Sequence, residues 1–195
     1  MSERTWKAAF GEVRRAAAKN KLTTGVIAVA VIASFALIAW AGTSSSAAKP
    51  AAKPAAAGFS VPFLGQAGVD SSRLSLASYA GKPLIVNFFA SWCSPCKTET
   101  PLLARFYRTE HGKVALVGLD ENDQVASALK FIGADGVTYP VGWDPQVTVA
   151  SAYNVSLLPQ TFFLDARHRI VFRTFGAVTS ADLSKGIALA TGRSS

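Results

Sequence analysis

The chain has 195 residues, with twenty Lys and Arg against twelve Asp and Glu, for a formal net charge of +8. It is too short for two large domains and long enough for one well-filled core. The positive charge sits mostly in the first 57 residues, and from Gly58 onward twelve basic residues face ten acidic ones. That near-neutral remainder argues against a nucleic-acid-binding domain, which would gather basic charge on its folded face.

In chain order, residues 1–21 form a basic tail carrying Arg4, Lys7, Arg14, Arg15, Lys19 and Lys21 against Glu3 and Glu12. Residues 22–41 are uncharged and mostly apolar. About 20 residues at about 1.5 Å each span a hydrocarbon core, so this run is expected to be a transmembrane anchor. The basic flank on its N-terminal side keeps the tail cytoplasmic and sends the rest across the bilayer. The alternative is a signal peptide cleaved near Ala41, since Ala39-Trp40-Ala41 has the small-x-small pattern. Residues 42–57 are rich in Ala, Ser and Pro and contain Ala-Lys-Pro twice. They are expected to be a spacer, with the folded domain occupying 58–195.

Within the domain, residues 61–69 suit an extended hairpin-like entry punctuated by Pro62 and Gly65. The run Leu84-Ile85-Val86-Asn87-Phe88-Phe89-Ala90 reads as a buried central strand. A helix is expected over about 95–109, and a second buried strand, parallel to the first, over 114–120. Residues 123–131 suit a helix with Asp123 as its cap, and 144–153 another short helix. Residues 161–165 and 170–177 read as two strands joined by a turn, and 180–190 as a closing helix. The order predicts an α/β fold, a central mixed β-sheet flanked by helices.

The only two cysteines are Cys93 and Cys96, set between the first central strand and the first helix. A thiol at a helix start faces outward-pointing N–H groups and the positive end of the helix dipole, which favour the thiolate. The thiolate is the form that attacks disulfides. Structural zinc fits poorly, because it needs four ligands and the other candidates, His111 and His168, lie far apart in sequence. A bridge kept for stability alone would close a longer loop than this one, which is worth only about 2 kcal/mol on the chain-entropy model. The pair therefore points to thiol–disulfide exchange, with no metal or other cofactor expected.

Residues 87–97, Asn-Phe-Phe-Ala-Ser-Trp-Cys-Ser-Pro-Cys-Lys, are followed by Glu99 and Pro101, and residues 153–165 contain Leu157-Leu158-Pro159-Gln160-Thr161-Phe162. Together with Gly81-Lys82-Pro83, these motifs resemble the membrane-tethered TlpA/ResA/CcmG (DsbE)-type branch of the thioredoxin superfamily. The resemblance implies a thioredoxin-like fold in which Cys93 is the exposed nucleophile and Cys96 resolves the mixed disulfide. Pro159 falls where this fold has a cis proline, with the backbone of Leu158 beside the sulfurs. Trp92, Ser94 and Pro95 would complete the client-binding surface. Asn87 replaces the buried aspartate of classical thioredoxins, and Glu99 takes the place of the glutamate that handles protons in the ResA-like branch. The implied clients are protein disulfides, apocytochrome c among them, reduced outside the cytoplasm of a bacterium with electrons from a membrane donor of the DsbD/CcdA type. Three other functions share the fold. They are a DsbA-like oxidant of exported proteins, a peroxiredoxin-type peroxidase and a Sco-like copper carrier. Phe89-Ala90-Ser91-Trp92 before Cys93 departs from the Thr-x-x-Cys of the peroxidases. The copper carriers space their cysteines three residues apart rather than two.

Overall fold

The computed structural model describes residues 52–65, 67–110, 112 and 114–193. The expected tail, membrane anchor and most of the spacer lie outside these residues, as does His111. Among the described residues no helix is long and apolar enough to cross a membrane.

Seven strands form one sheet: β1 (Ser60–Gly65), β2 (Gly68–Ser75), β3 (Leu84–Phe89), β4 (Ala115–Glu121), β5 (Val141–Asp144), β6 (Gln160–Leu164) and β7 (Ile170–Phe175). Their order across the sheet is β2-β1-β5-β4-β3-β6-β7. Among the described residues four α-helices accompany them: α1 (Ser94–Thr109), α2 (Val125–Ala134), α3 (Thr148–Ala152) and α4 (Ser180–Thr191).

β3 lies at the centre, parallel to β4 and antiparallel to β6, so all six of its residues are buried. This is why it carries an unbroken apolar run instead of an alternating one. Its odd positions, Ile85, Asn87 and Phe89, face the layer of α1, α2 and α4, where Leu103, Phe131 and Leu183 pack. Its even positions, Leu84, Val86 and Phe88, face α3 and the N-terminal segment, through Val149, Tyr153 and Phe59. The mixed sheet with helices on both faces agrees with the expectation.

Four boundaries differ from the sequence reading. Residues 54–57, which by composition end a spacer, pair with the β6–β7 turn: Ala55 bridges Arg169, and Ile170 N donates to Pro54 O at 2.8 Å. The entry hairpin extends to Ser75 and is followed by a 3-10 turn at Leu76–Tyr79. Asp144 ends a strand instead of starting a helix, and its carboxylate accepts from the N–H groups of Thr148, Val149 and Ala150 at the start of α3. The residue capping α2 is Gln124, which makes no side-chain cap bond. The Asp123 carboxylate does accept from Gln124 N at 2.7 Å, but it also reaches across to Ser91.

Close approach explains Gly186. A Cβ there would lie 2.3 Å from the Phe163 ring, so only glycine lets α4 settle onto β6. That seating places the loop before α4, with Val178, against the buried face of α1.

Candidate active site

The turn after β3 closes with Cys93 N donating to Ala90 O at 3.1 Å, and α1 begins at Ser94 with Cys93 as its N-cap. Pro95 falls in the first turn, where a missing N–H costs nothing. Cys93 and Cys96 form a disulfide with a Cα–Cα distance of 5.3 Å. Cys96 N donates to Cys93 Sγ at 3.2 Å, so the outer sulfur sits on the outward-pointing amides of the helix start. Cys93 is less open than expected, only 4 % exposed in the disulfide form, yet it is the one of the pair that solvent reaches. Cys96 is fully enclosed, while Ser94 and Pro95 are exposed.

Cys96, Glu99, Thr100, Leu103 and Ala104 share the buried face of α1, the spacing of one helical stripe. Glu99 is only 1 % exposed. One of its carboxyl oxygens accepts from Asn87 Nδ2 at 2.7 Å and the other from Val178 N at 2.6 Å. Asn87 Nδ2 also reaches Thr161 Oγ1 at 2.9 Å, directly across the β3–β6 pairing. Burial pushes the Glu99 carboxyl up to about 7, against the lowering pull of the Val178 and Asn87 bonds. A carboxyl that titrates near neutrality, three residues along the buried face from Cys96, is suited to exchange protons with an inner thiol.

The Leu158–Pro159 peptide is cis. Pro159 O accepts from Gly176 N at 2.9 Å, which ties the end of β7 to this loop. Leu158 is half-buried and packs against both hydrophobic layers. Trp92, Leu157 and Phe175 are largely exposed. Trp92 Nε1 donates to Asn122 O at 3.0 Å, which fixes the indole over the end of β4. Arg173 lies over the Phe175 ring at 4.3 Å from its centroid. His168 stands at the other end of β6, with Nε2 3.0 Å from Tyr79 O and remote from the cysteines.

The structure also brings in residues that sequence reasoning does not assign to the site. Val178 supplies a backbone donor from a loop 79 positions beyond Glu99. Asp120, on β4 opposite Phe89, and Asp123, two residues beyond the strand and bonded to Ser91, stand beside the turn that leads to Cys93. Burial first, then the neighbouring Asp123 carboxylate, then Glu121, push Asp120 up to about 9. Burial and the nearby Asp144 raise Glu121 to about 7. The run Asp120-Glu121-Asn122-Asp123 is the available signal, since so much acid at the end of an apolar strand needs an explanation.

Comparison with known proteins agrees with this geometry. Over 115 residues the chain is 33 % identical to the thiol:disulfide interchange protein CycY of Rhizobium leguminosarum bv. viciae, covering 58 % of this chain and 61 % of that protein. Over 113 residues it is 31 % identical to the thiol-disulfide oxidoreductase ResA of Bacillus subtilis, covering 57 % and 63 %. The chain thus spans just under two thirds of the length of these curated relatives. Among solved structures, a DsbF homologue from Corynebacterium diphtheriae superposes with a TM-score of 0.63 at 28 % identity, covering 71 % of this chain and 88 % of that one. A thioredoxin-family thiol:disulfide interchange protein from Chlorobium tepidum gives 0.62 at 28 %, covering 73 % and 99 %. The fold is therefore thioredoxin-like, as expected. The AhpC/TSA family pattern matches residues 53–173, from the first paired residues through most of β7, and the chain belongs to that family.

Proposed function

We propose that this chain is an extracytoplasmic thiol–disulfide oxidoreductase that reduces disulfides in client proteins. The observation that carries the reading is the Cys93–Cys96 pair at the start of α1 with the buried Glu99 behind it. In the reduced enzyme, Cys93 thiolate attacks one sulfur of a client disulfide. The Cys93–client bond forms, the client S–S bond breaks, and the second client sulfur leaves as a thiolate that takes up a proton. Glu99 carboxylate accepts the Cys96 proton, and the Cys96 thiolate attacks Cys93 Sγ. The Cys93–Cys96 bond forms as the Cys93–client bond breaks, and the client sulfur leaves as a thiolate that takes up a proton, so the client departs as a dithiol. Two electrons pass from enzyme to client, and a membrane donor of the DsbD/CcdA type restores the dithiol.

The client segment runs along Trp92, Ser94 and Pro95, with its backbone against Leu158 and Pro159. Apocytochrome c is the proposed client, because its paired cysteines must be reduced before haem attachment. Residues 22–41 anchor the chain, and residues 42 to the low fifties hold the domain off the bilayer.

The test is a trapping experiment with Cys96→Ser. A variant lacking the resolving thiol accumulates a mixed disulfide between Cys93 and an oxidised Cys-x-x-Cys-His peptide, and adding Cys93→Ser removes it. No adduct on Cys93 at any pH would refute the proposal.

A further inference from the structure

We propose that Asp123 is a positioning residue for Cys93, acting through Ser91. This inference rests on the reading of Cys93 as the attacking sulfur, and it assigns a task to a carboxylate that touches neither cysteine.

The geometry is specific. Asp123 Oδ2 accepts from Ser91 N at 2.6 Å, and Oδ1 accepts from Ser91 Oγ at 2.9 Å. Both donors belong to one residue, two places before Cys93. Oδ1 also accepts from Gln124 N at 2.7 Å, so the carboxylate is fixed to the start of α2. Its backbone is held too: Asp123 O accepts from Trp143 Nε1 at 3.2 Å, and the neighbouring Asn122 O accepts from Trp92 Nε1. Residues 91 and 92 are thereby strapped to residues 122 and 123 by three bonds. The next residue, Cys93, is the N-cap of α1.

Charge makes the strap strong. A hydrogen bond to an ionised carboxylate is shorter and stronger than a neutral one. Asp120 and Glu121 on β4 and Asp144 on β5 crowd the same corner, and burial and mutual repulsion favour the proton on Asp120. On its other side Ser91 lines a cavity bordered by Lys97 of α1 and by Lys130 and Asp135 at the end of α2.

The strap keeps the turn from drifting, and with it Cys93 Sγ on the N–H of Cys96. If the turn loosens, the sulfur leaves the helix N-terminus and its thiolate loses stabilisation, so the Cys93 pKa rises. The opposite sign follows if Asp123 acts only as a nearby negative charge. Removing that charge would then lower the Cys93 pKa.

The test uses the reduced full chain and the pH dependence of Cys93 alkylation by iodoacetamide, read by mass of the modified peptide. Asp123→Asn and Ser91→Ala are each expected to raise the Cys93 pKa by about 0.5 or more, the size that partly buried helix-terminus interactions reach. The double variant should shift it no further than the larger single one, because both changes cut the same strap. Ser91→Thr keeps the hydroxyl and should keep the wild-type value. A lowered pKa in Asp123→Asn with no change in Ser91→Ala overturns the proposal, and so does no shift in either. Should Asp123→Asn fail to fold, Ser91→Ala decides alone. Alkylation requires no client, so a chain that fails to reduce peptide disulfides would sink the proposed function and leave this result standing.

Discussion

Replacing Glu99 with glutamine should change the stability of the protein in a way that reverses with pH. The folded protein holds the Glu99 proton up to about pH 7, whereas an unfolded chain releases it near 4.5. The stability this group contributes is therefore complete below the unfolded value and is lost as pH rises through the folded one. The loss amounts to about 3 kcal/mol, at about 1.4 kcal/mol for each pH unit between the two values. Almost complete burial means that solvent screening does not shrink this figure much. A glutamine at this position does not titrate and escapes the loss. It carries a different cost: two N–H donors, Asn87 Nδ2 and Val178 N, point at the two carboxyl oxygens, and an amide has only one oxygen to offer. One donor left unmet in the core costs about 1–3 kcal/mol. The variant should therefore be less stable than wild type at about pH 5 by that amount, and equal or more stable by about pH 8. Urea unfolding of the oxidised protein, followed by tryptophan fluorescence at both pH values, measures the crossover. A stability difference that stays constant with pH would mean instead that Glu99 keeps an ordinary carboxylate pKa despite its burial.

Asp120→Asn should flatten the fall in stability between about pH 5 and pH 8, since the raised Asp120 carboxyl keeps its proton in the folded protein across a window where the unfolded chain has released it; the same urea titration reads it. Gly186→Ala adds a methyl group 2.3 Å from the buried Phe163 ring. Overpacking of about 1–3 kcal/mol outweighs the gain of about 1 kcal/mol in helix propensity, so thermal unfolding should show a net loss. Trp92→Ala removes an exposed indole with one hydrogen bond to Asn122 O, and should cost no more than about 1.5 kcal/mol in stability. Client-peptide reduction should slow much more than stability falls, and comparing peptide turnover with the midpoint of unfolding separates the two.

How much of this is legible in the sequence follows from the range of the interactions involved. The strand, turn and helix around Cys93 are written in contiguous residues, so Leu84 to Thr109 can be read directly. The Glu99–Cys96 relation needs only helical spacing, and it too is readable. The Asn87–Thr161 bond spans 74 positions and the Glu99–Val178 bond 79, and neither leaves a periodic trace. β5 escapes notice because four residues, one of them Gly142, are too few to show alternation. Asp144 reads as opening a helix because it does bond to helical amides, from the strand four residues earlier. Asp123 reads as a helix cap from its type and place, which a carboxylate bonded to Ser91 in a different segment satisfies equally well. The start of the domain falls earlier than composition suggests, because Pro54 to Ala57 look like spacer and only their pairing with Arg169 and Ile170 shows otherwise.

The most direct test of the proposed function is the reduction potential of the Cys93–Cys96 couple, by equilibration of the protein against a thiol redox buffer. A client reductase should have a low potential, near that of thioredoxin at about −270 mV. A potential near that of DsbA, about −120 mV, would contradict the account and make the protein a donor of disulfides to exported chains.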